Sequence, residues 1–184
     1  MKEISLNILD IAENSVKAGA SLTEIYINED DSTFTLSIVD NGCGMTEDTV
    51  NAVTNPFYTT RTTRSVGLGI PLLKLACEQT GGTLSITSKV KTEDSTEHGT
   101  TVIARFNKNH LDFTPLGDVV STVVTLIQGH PERDFLFEHT MTSGTVMLDT
   151  RNMREILEDI PLSTPEILSW ISESLKEQYS EIIK

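Results

Sequence analysis

The chain has 184 residues, 38% of them hydrophobic and 22% charged, which is enough apolar mass for a core and too little length for two large domains. Its 27 Asp and Glu against 14 Lys and Arg leave a net charge of −13, the wrong sign for a protein that gains affinity from nucleic-acid phosphates or anionic membranes. No apolar run reaches the roughly 20 residues that cross a bilayer, Asp10 and Glu13 interrupt any signal core, and the distant pair Cys43 and Cys77 makes neither a metal site nor a disulfide framework, so a cytoplasmic location is expected.

Residues 5–16 place Leu6, Ile8, Leu9, Ile11, Ala12 and Val16 on a broad apolar face, with Asn7, Asp10, Glu13 and Asn14 mostly off it, which is helical spacing. The next two segments alternate: Leu22, Ile25 and Ile27, then Phe34, Leu36 and Ile38, joined by the acidic turn Glu29-Asp30-Asp31-Ser32, predict strand, turn, strand. A Thr- and Arg-rich stretch leads to a predicted helix over 70–79, stopped by Gly81-Gly82. Strands are expected over 83–88 and 100–106, around a polar loop. This order implies a largely antiparallel sheet with helices on one face. Beyond Asn107 come a helix through VVSTVVTLI, a hairpin around Ser143-Gly144, and helices over 151–159 and 165–183, the last with Ser163 or Thr164 as cap and Glu166 in its first turn. Residues 1–108 are net −5 and residues 109–184 net −8, so a small anionic ligand would need local features and a metal ion to hold it.

Four short segments carry the chemistry. In the first, Asp10 and Asn14 lie four apart on one side of a helix, with Lys17 one turn further. The Asn14 amide oxygen suits Mg²⁺, which prefers oxygen ligands and bridges to phosphates. Lys17 can reach a phosphate, and Asp10 can orient or deprotonate a water. In the second, Asp40-Asn41-Gly42-Cys43-Gly44-Met45, a carboxylate ends a strand before two glycines that permit positive φ and close approach of a flat ligand. Such a carboxylate accepts from the amino group of adenine but would face the guanine carbonyl acceptor to acceptor, and hydrogen-bonding sites reject mismatched analogues by about 10⁴-fold. The same residues also make an ordinary turn. The third segment, Asn55 to Arg61, opens a hydroxyl- and guanidinium-rich stretch suited to cover phosphates. In the fourth, Gly67 and Gly69 precede a helix whose free N–H groups and dipole favour an anion, or simply give the loop freedom to enter the helix.

In this order the four segments resemble the N box, first glycine box, F box and second glycine box of the ATPase superfamily shared by gyrase B subunits, heat-shock chaperones, histidine kinases and MutL. Glu13-Asn14-Ser15-Val16-Lys17-Ala18-Gly19-Ala20 and Asp40 to Met45 are similar to MutL, whereas Asn55-Pro56-Phe57-Tyr58-Thr59-Thr60-Arg61 and Gly67-Leu68-Gly69-Ile70 are similar to histidine-kinase ATPase domains. The resemblance covers residues 3–107. It implies an α+β fold, the two-layer α/β sandwich known as the Bergerat ATP-binding fold, over residues 1–108, followed by a small α/β appendage over 109–184. It further implies Asn14 as the Mg²⁺ ligand, Lys17 as a phosphate contact and Asp40 as the adenine reader. Gly42, Gly44 and Met45 would shape the base pocket, Gly67 and Gly69 hold phosphates, Phe57 and Arg61 flank a lid, and Thr100 shares a water with Asp40.

One departure is Asp10, where hydrolysing branches usually carry Glu and histidine kinases often Asn. The shorter carboxylate is the candidate general base. The sequence opens almost at the first motif, so no room is expected for a helical domain with a phospho-accepting histidine, and His98, His110, His130 and His139 read as structural. The expected function is a soluble Mg²⁺-ATP-binding regulatory switch with slow hydrolysis. Two alternatives stand beside it: a stand-alone kinase that phosphorylates a histidine or serine of a partner protein, and a module that holds nucleotide without chemistry. Residues 109–184 are expected to dock a protein partner or form a homodimer. Neither nucleic acid nor membrane is expected as a partner.

Overall fold

The computed structural model describes residues 3–54 and 68–182. Helix α1 (Ile4–Lys17) buries Ile4, Ile8, Ile11 and Ala12, the stripe its spacing demands, and ends at Gly19, whose φ of +76° is the left-handed turn that stops a helix. Strands β1 (Leu22–Glu29) and β2 (Thr33–Asp40) form an antiparallel hairpin. The Asp30 carboxylate closes its turn by accepting from the Ser32 and Thr33 amides at 2.8 Å each, and these bonds hold its pKa below the usual carboxylate value. Helix α2 (Glu47–Val53) follows, then α3 (Gly69–Gln79), β3 (Thr83–Lys89) and β4 (Gly99–Asn107). The C-terminal part comprises α4 (Val119–Gly129), β5 (Asp134–Met141), β6 (Gly144–Asp149), α5 (Thr150–Leu157) and α6 (Pro165–Ile182).

The strands make one six-stranded sheet in the order β3-β4-β2-β1-β5-β6. Every neighbouring pair is antiparallel except β1 and β5, which run parallel with Leu22 opposite Asp134. Alternate side chains Ile25, Ile27, Phe34, Leu36, Ile38, Phe106, Phe135 and Phe137 are almost wholly buried beneath the helices, as a period of two requires of a sheet covered on one face. Helix α1 lies over β1 and β2, α3 over β3 and β4, α4 over β5, and α6 over β6. The sheet with helices on one face is the α+β two-layer sandwich expected.

The C-terminal part is continuous with this sheet and core. Without β5, strand β1 would present an open row of backbone donors and acceptors beside Ile25 and Ile27, and pairing with β5 closes that edge. The outer strand β6 is itself shielded by Gln178 of α6, whose amide accepts from the Met147 N–H at 2.9 Å and donates to the Met147 carbonyl at 3.2 Å. At the other end of β5, Arg154 of α5 donates to Asp134 at 2.7 Å and to the carbonyl oxygens of Pro131 and Arg133.

Two details differ from the spacing argument. Leu6 is 43% exposed, whereas Asn7 is buried and its Nδ2 finds no partner among the described residues. The cause is α4, which packs alongside α1 and turns the helix's covered side toward itself. The amides of Ile4 and Ser5 donate to the carbonyls of Pro115 and Leu116 just ahead of α4. Helix α2 is not among the elements the spacing predicts. It has one buried residue, Val53, and so no amphipathic repeat, but Thr46 caps it by accepting from the Thr49 amide, with Glu47 and Asp48 in the first turn favouring the positive end of the helix.

Candidate functional site

A cleft of about 280 Å³ opens between α1, the loop after β2, α2, the start of α3 and the beginning of β4. Ile11, Met45, Val53, Ile70 and Val102 make its walls apolar, and Asp40, Asn14, Lys17 and Thr100 bring polar groups to its rim. A mostly apolar hollow with a few convergent polar groups is the usual form of a small-molecule site, and this one is near the small end of the common range of about 300–1,000 Å³.

Asp40 is positioned by three elements at once. Its Oδ1 accepts from the amides of Gly42 at 2.9 Å and Thr100 at 3.2 Å, and its Oδ2 accepts from the Ser15 hydroxyl at 2.8 Å. A carboxylate has about four lone-pair sites, so three protein donors leave one, on Oδ2, for an incoming group. Ser15 is 3% exposed and belongs to α1, one residue past Asn14. Nothing in the sequence singles it out, because a serine in a helix facing a strand end 25 residues away has no local signature. The Thr100 side chain pairs with the Ser88 hydroxyl at 2.9 Å, and Ser88 also receives the Met45 amide at 2.8 Å. Thr100 therefore meets Asp40 through its backbone amide.

The loop after Asp40 is stitched to both sides of the cleft. The Cys43 amide donates to the Ala18 carbonyl at 2.9 Å and the Lys91 amide to the Cys43 carbonyl at 2.8 Å. His98 Nδ1 lies 2.7 Å from the Gly42 carbonyl oxygen. The two loop glycines divide the duties their spacing suggests. Only Gly44 has positive φ, +69°, and a Cβ there would overlap the Lys89 carbonyl oxygen. A Cβ on Gly42 would lie 2.9 Å from that of Ala18 and 3.0 Å from Asp40 Oδ1. In both places the close approach is made by the protein's own chain, which brings the loop against α1 and β3.

Asp10 is exposed and does not line the cleft wall, but it abuts the first residue of α3: a Cβ on Gly69 would lie 2.8 Å from the Asp10 Cβ and 3.4 Å from its Oδ2. The absent side chain of Gly69 thus lets a carboxylate stand beside a helix start whose cap residue, Leu68, makes no side-chain hydrogen bond. Phe57, Arg61 and Gly67 lie outside the described residues. Among the described residues no cluster of three or more His, Cys, Asp or Glu side chains could hold a metal ion by protein ligands alone.

Two other histidines join elements of the fold. His130 Nε2 lies 2.8 Å from Glu13, joining α4 to α1, and buried His139 has Nδ1 2.8 Å from the Tyr179 hydroxyl, joining β5 to α6. Burial holds the His139 pKa below its usual value against the opposing influence of Glu29, and burial raises that of Tyr179. Cys77 is buried, with its pKa pushed up to about 11, whereas Cys43 is exposed at the cleft.

Residues 2–110 match the family described as Histidine kinase-, DNA gyrase B-, and HSP90-like ATPase. The chain belongs to this family. Among solved structures, it is similar to the Aquifex aeolicus MutL ATPase domain complexed with ADP, at 15% identity over 86% of this chain and 70% of that one, with a TM-score of 0.55. It is also similar to the N-terminal domain of a DNA repair protein, at 14% identity, 81% and 53% coverage, and a TM-score of 0.52. The chain therefore spans about half the length of the latter. A mycobacterial sensor histidine kinase, MprB, aligns over 55% of this chain and 67% of its own at 21% identity, with a TM-score of 0.42. At these identities the likeness is one of fold. No curated protein sequence matches this chain. Among the described residues no helix is long and apolar enough to cross a membrane.

Proposed function

We propose that this member of the ATPase family binds Mg²⁺-ATP in the cleft beside Asp40 and acts as a nucleotide-dependent regulatory switch with slow hydrolysis. The observation that carries the reading is the Asp40 carboxylate, fixed by Ser15, Gly42 and Thr100 with one lone pair left over an apolar hollow. That arrangement fits a flat heterocycle with an exocyclic amino group, and Met45, Ile70 and Val102 offer it apolar walls. Asn14 and Lys17, on the α1 side, have the chemistry to meet a phosphate-bound Mg²⁺ and a phosphate oxygen. With no protein-only metal cluster among the described residues, Mg²⁺ would come with the nucleotide, held by phosphates and the Asn14 amide oxygen, and would neutralise phosphate charge. Gly69, although buried, is the first residue of α3, where a helix-start amide would suit an anion, and Asp10 beside it is the group suited to orient or deprotonate a water. Phe57, Arg61 and Gly67 remain proposed lid and phosphate contacts. Residues 109–184, whose strands continue the same sheet, would pass nucleotide occupancy to a protein partner.

The test is incubation of the purified chain with γ-labelled ATP and Mg²⁺, with and without cell lysate, alongside Asp10→Asn. Slow release of free phosphate is expected, falling by about 10²-fold or more in the variant while ATP binding is retained. Label appearing on a lysate protein instead would establish the kinase reading, and bound ATP without either product would establish a passive nucleotide module. Absence of ATP binding by the intact protein would refute the proposed site.

A further inference from the structure

We propose that the groove between α5 and α6 is a docking site for an amphipathic helix of a partner protein, with an apolar stripe flanked by Lys and Arg. The groove, about 260 Å³, is lined by Met153, Ile156, Leu157, Ile167 and Trp170 alone. Ile156 is 82% exposed and Trp170 55% exposed, although both sit beside the core residues Met153, Leu168 and Ile171. An aromatic side chain at the centre of an apolar concavity is the usual anchor of a protein interface.

Charge selects the occupant. From Glu155 to Leu175 the chain carries five carboxylates, Glu155, Glu158, Asp159, Glu166 and Glu173, all exposed, and neither Lys nor Arg. The two arginines just ahead of this span are directed elsewhere, Arg154 to Asp134 and Arg151 to Asp149. A second copy would bring the same acidic rim against itself in a symmetric contact, and an anionic membrane would be repelled. A cationic rim complements it.

Backbone chemistry selects the shape. The groove runs between two helices and offers no strand edge to pair with, and the nearest edge, β6, is occupied at Met147 by Gln178. An incoming segment must therefore satisfy its own backbone, which a helix does, with anchors at i, i+3, i+4 and i+7. The groove shares no lining residue with the Asp40 cleft, so this proposal and the nucleotide reading stand or fall separately.

Trp170 is the chain's single tryptophan and reports directly on the groove. The intact protein would be titrated with a synthetic tryptophan-free helical peptide of Leu and Lys in amphipathic order. A saturable blue shift of Trp170 emission is expected, weakened by salt, with the dissociation constant raised about 10-fold by Ile156→Ser, a change at an exposed site that melting would show to leave the fold intact. Equal response to a peptide with Glu in place of Lys, or with Gln in place of Leu, would overturn the proposal. So would no shift at all, a matching shift with phosphatidylcholine vesicles, or a self-association in sedimentation that Ile156→Ser abolishes.

Discussion

Replacing Asp40 by Asn tests the base pocket with little change of shape. The two amides that meet Oδ1, from Gly42 and Thr100, can still donate to the Asn carbonyl oxygen. The new Nδ2 then takes the place of Oδ2, where the Ser15 hydroxyl can rotate to accept one of its hydrogens. The remaining hydrogen points at the position that formerly presented a lone pair to the cleft. An adenine amino group would meet donor against donor, whereas a guanine carbonyl would now find a partner. A hydrogen bond to a charged acceptor contributes roughly 1.5–3 kcal/mol, so ATP affinity should fall by about 10- to 150-fold. GTP affinity should rise, and the melting temperature should stay within about 2 °C because each protein donor keeps a partner. Calorimetric titration of both nucleotides into the wild type and the variant provides the measurement. An ATP affinity within about threefold of the wild type, in a folded variant, would refute the assignment of Asp40 to base recognition.

Gly44→Ala forces a Cβ onto the Lys89 carbonyl at a positive φ, so it should destabilise the protein by at least about 2 kcal/mol, read as a melting temperature lower by about 4–8 °C; an unchanged melting curve would contradict the described loop. Alkylation with an uncharged maleimide should modify Cys43 and spare Cys77 in the native protein, and Mg²⁺-ATP should slow the reaction of Cys43, which lines the cleft; mass spectrometry that found Cys77 reacting first would reject the packing of α3. His139 is buried with a lowered pKa, so the unfolded chain takes up a proton that the folded one resists. Its contribution to stability is complete above the usual imidazole value of about 6.5 and is lost as pH falls through the lower folded value. A melting series from about pH 8 to pH 5 should show this decline, with a shallower slope in His139→Gln; identical slopes would assign the pH response to other groups.

The residues of the sequence already carried the element order, because each described strand alternates more and less covered positions, β3 by half-burying Leu84 and Ile86, and five of the six described helices bury enough residues to impose a period. Helix α2 escaped, since Val53 is its one buried residue and only Thr46, Glu47 and Asp48 mark its start. The family resemblance also groups Asn14, Lys17, Asp40, Gly44, Met45 and Thr100 into one expected site, and all six line one cleft. What each group does there was less legible. The spacing of Gly42 and Gly44 suggested room for a ligand, but the nearest atoms to the space they leave belong to Ala18, Asp40 and Lys89.

Local pattern thus determined most of the segments that become helix or strand, and the family resemblance brought six of the cleft residues together. Tertiary structure alone decided that Ser15 holds Asp40, that Asp10 stands against Gly69, that α4 buries Asn7 and leaves Leu6 in solvent, and that β5 runs parallel beside β1. The physical reason is common to these cases. Periodicity records how much of a side chain must be covered, but strand pairing is made by backbone groups that are chemically alike at every residue, and contacts between distant segments depend on which element arrives to cover the exposed face.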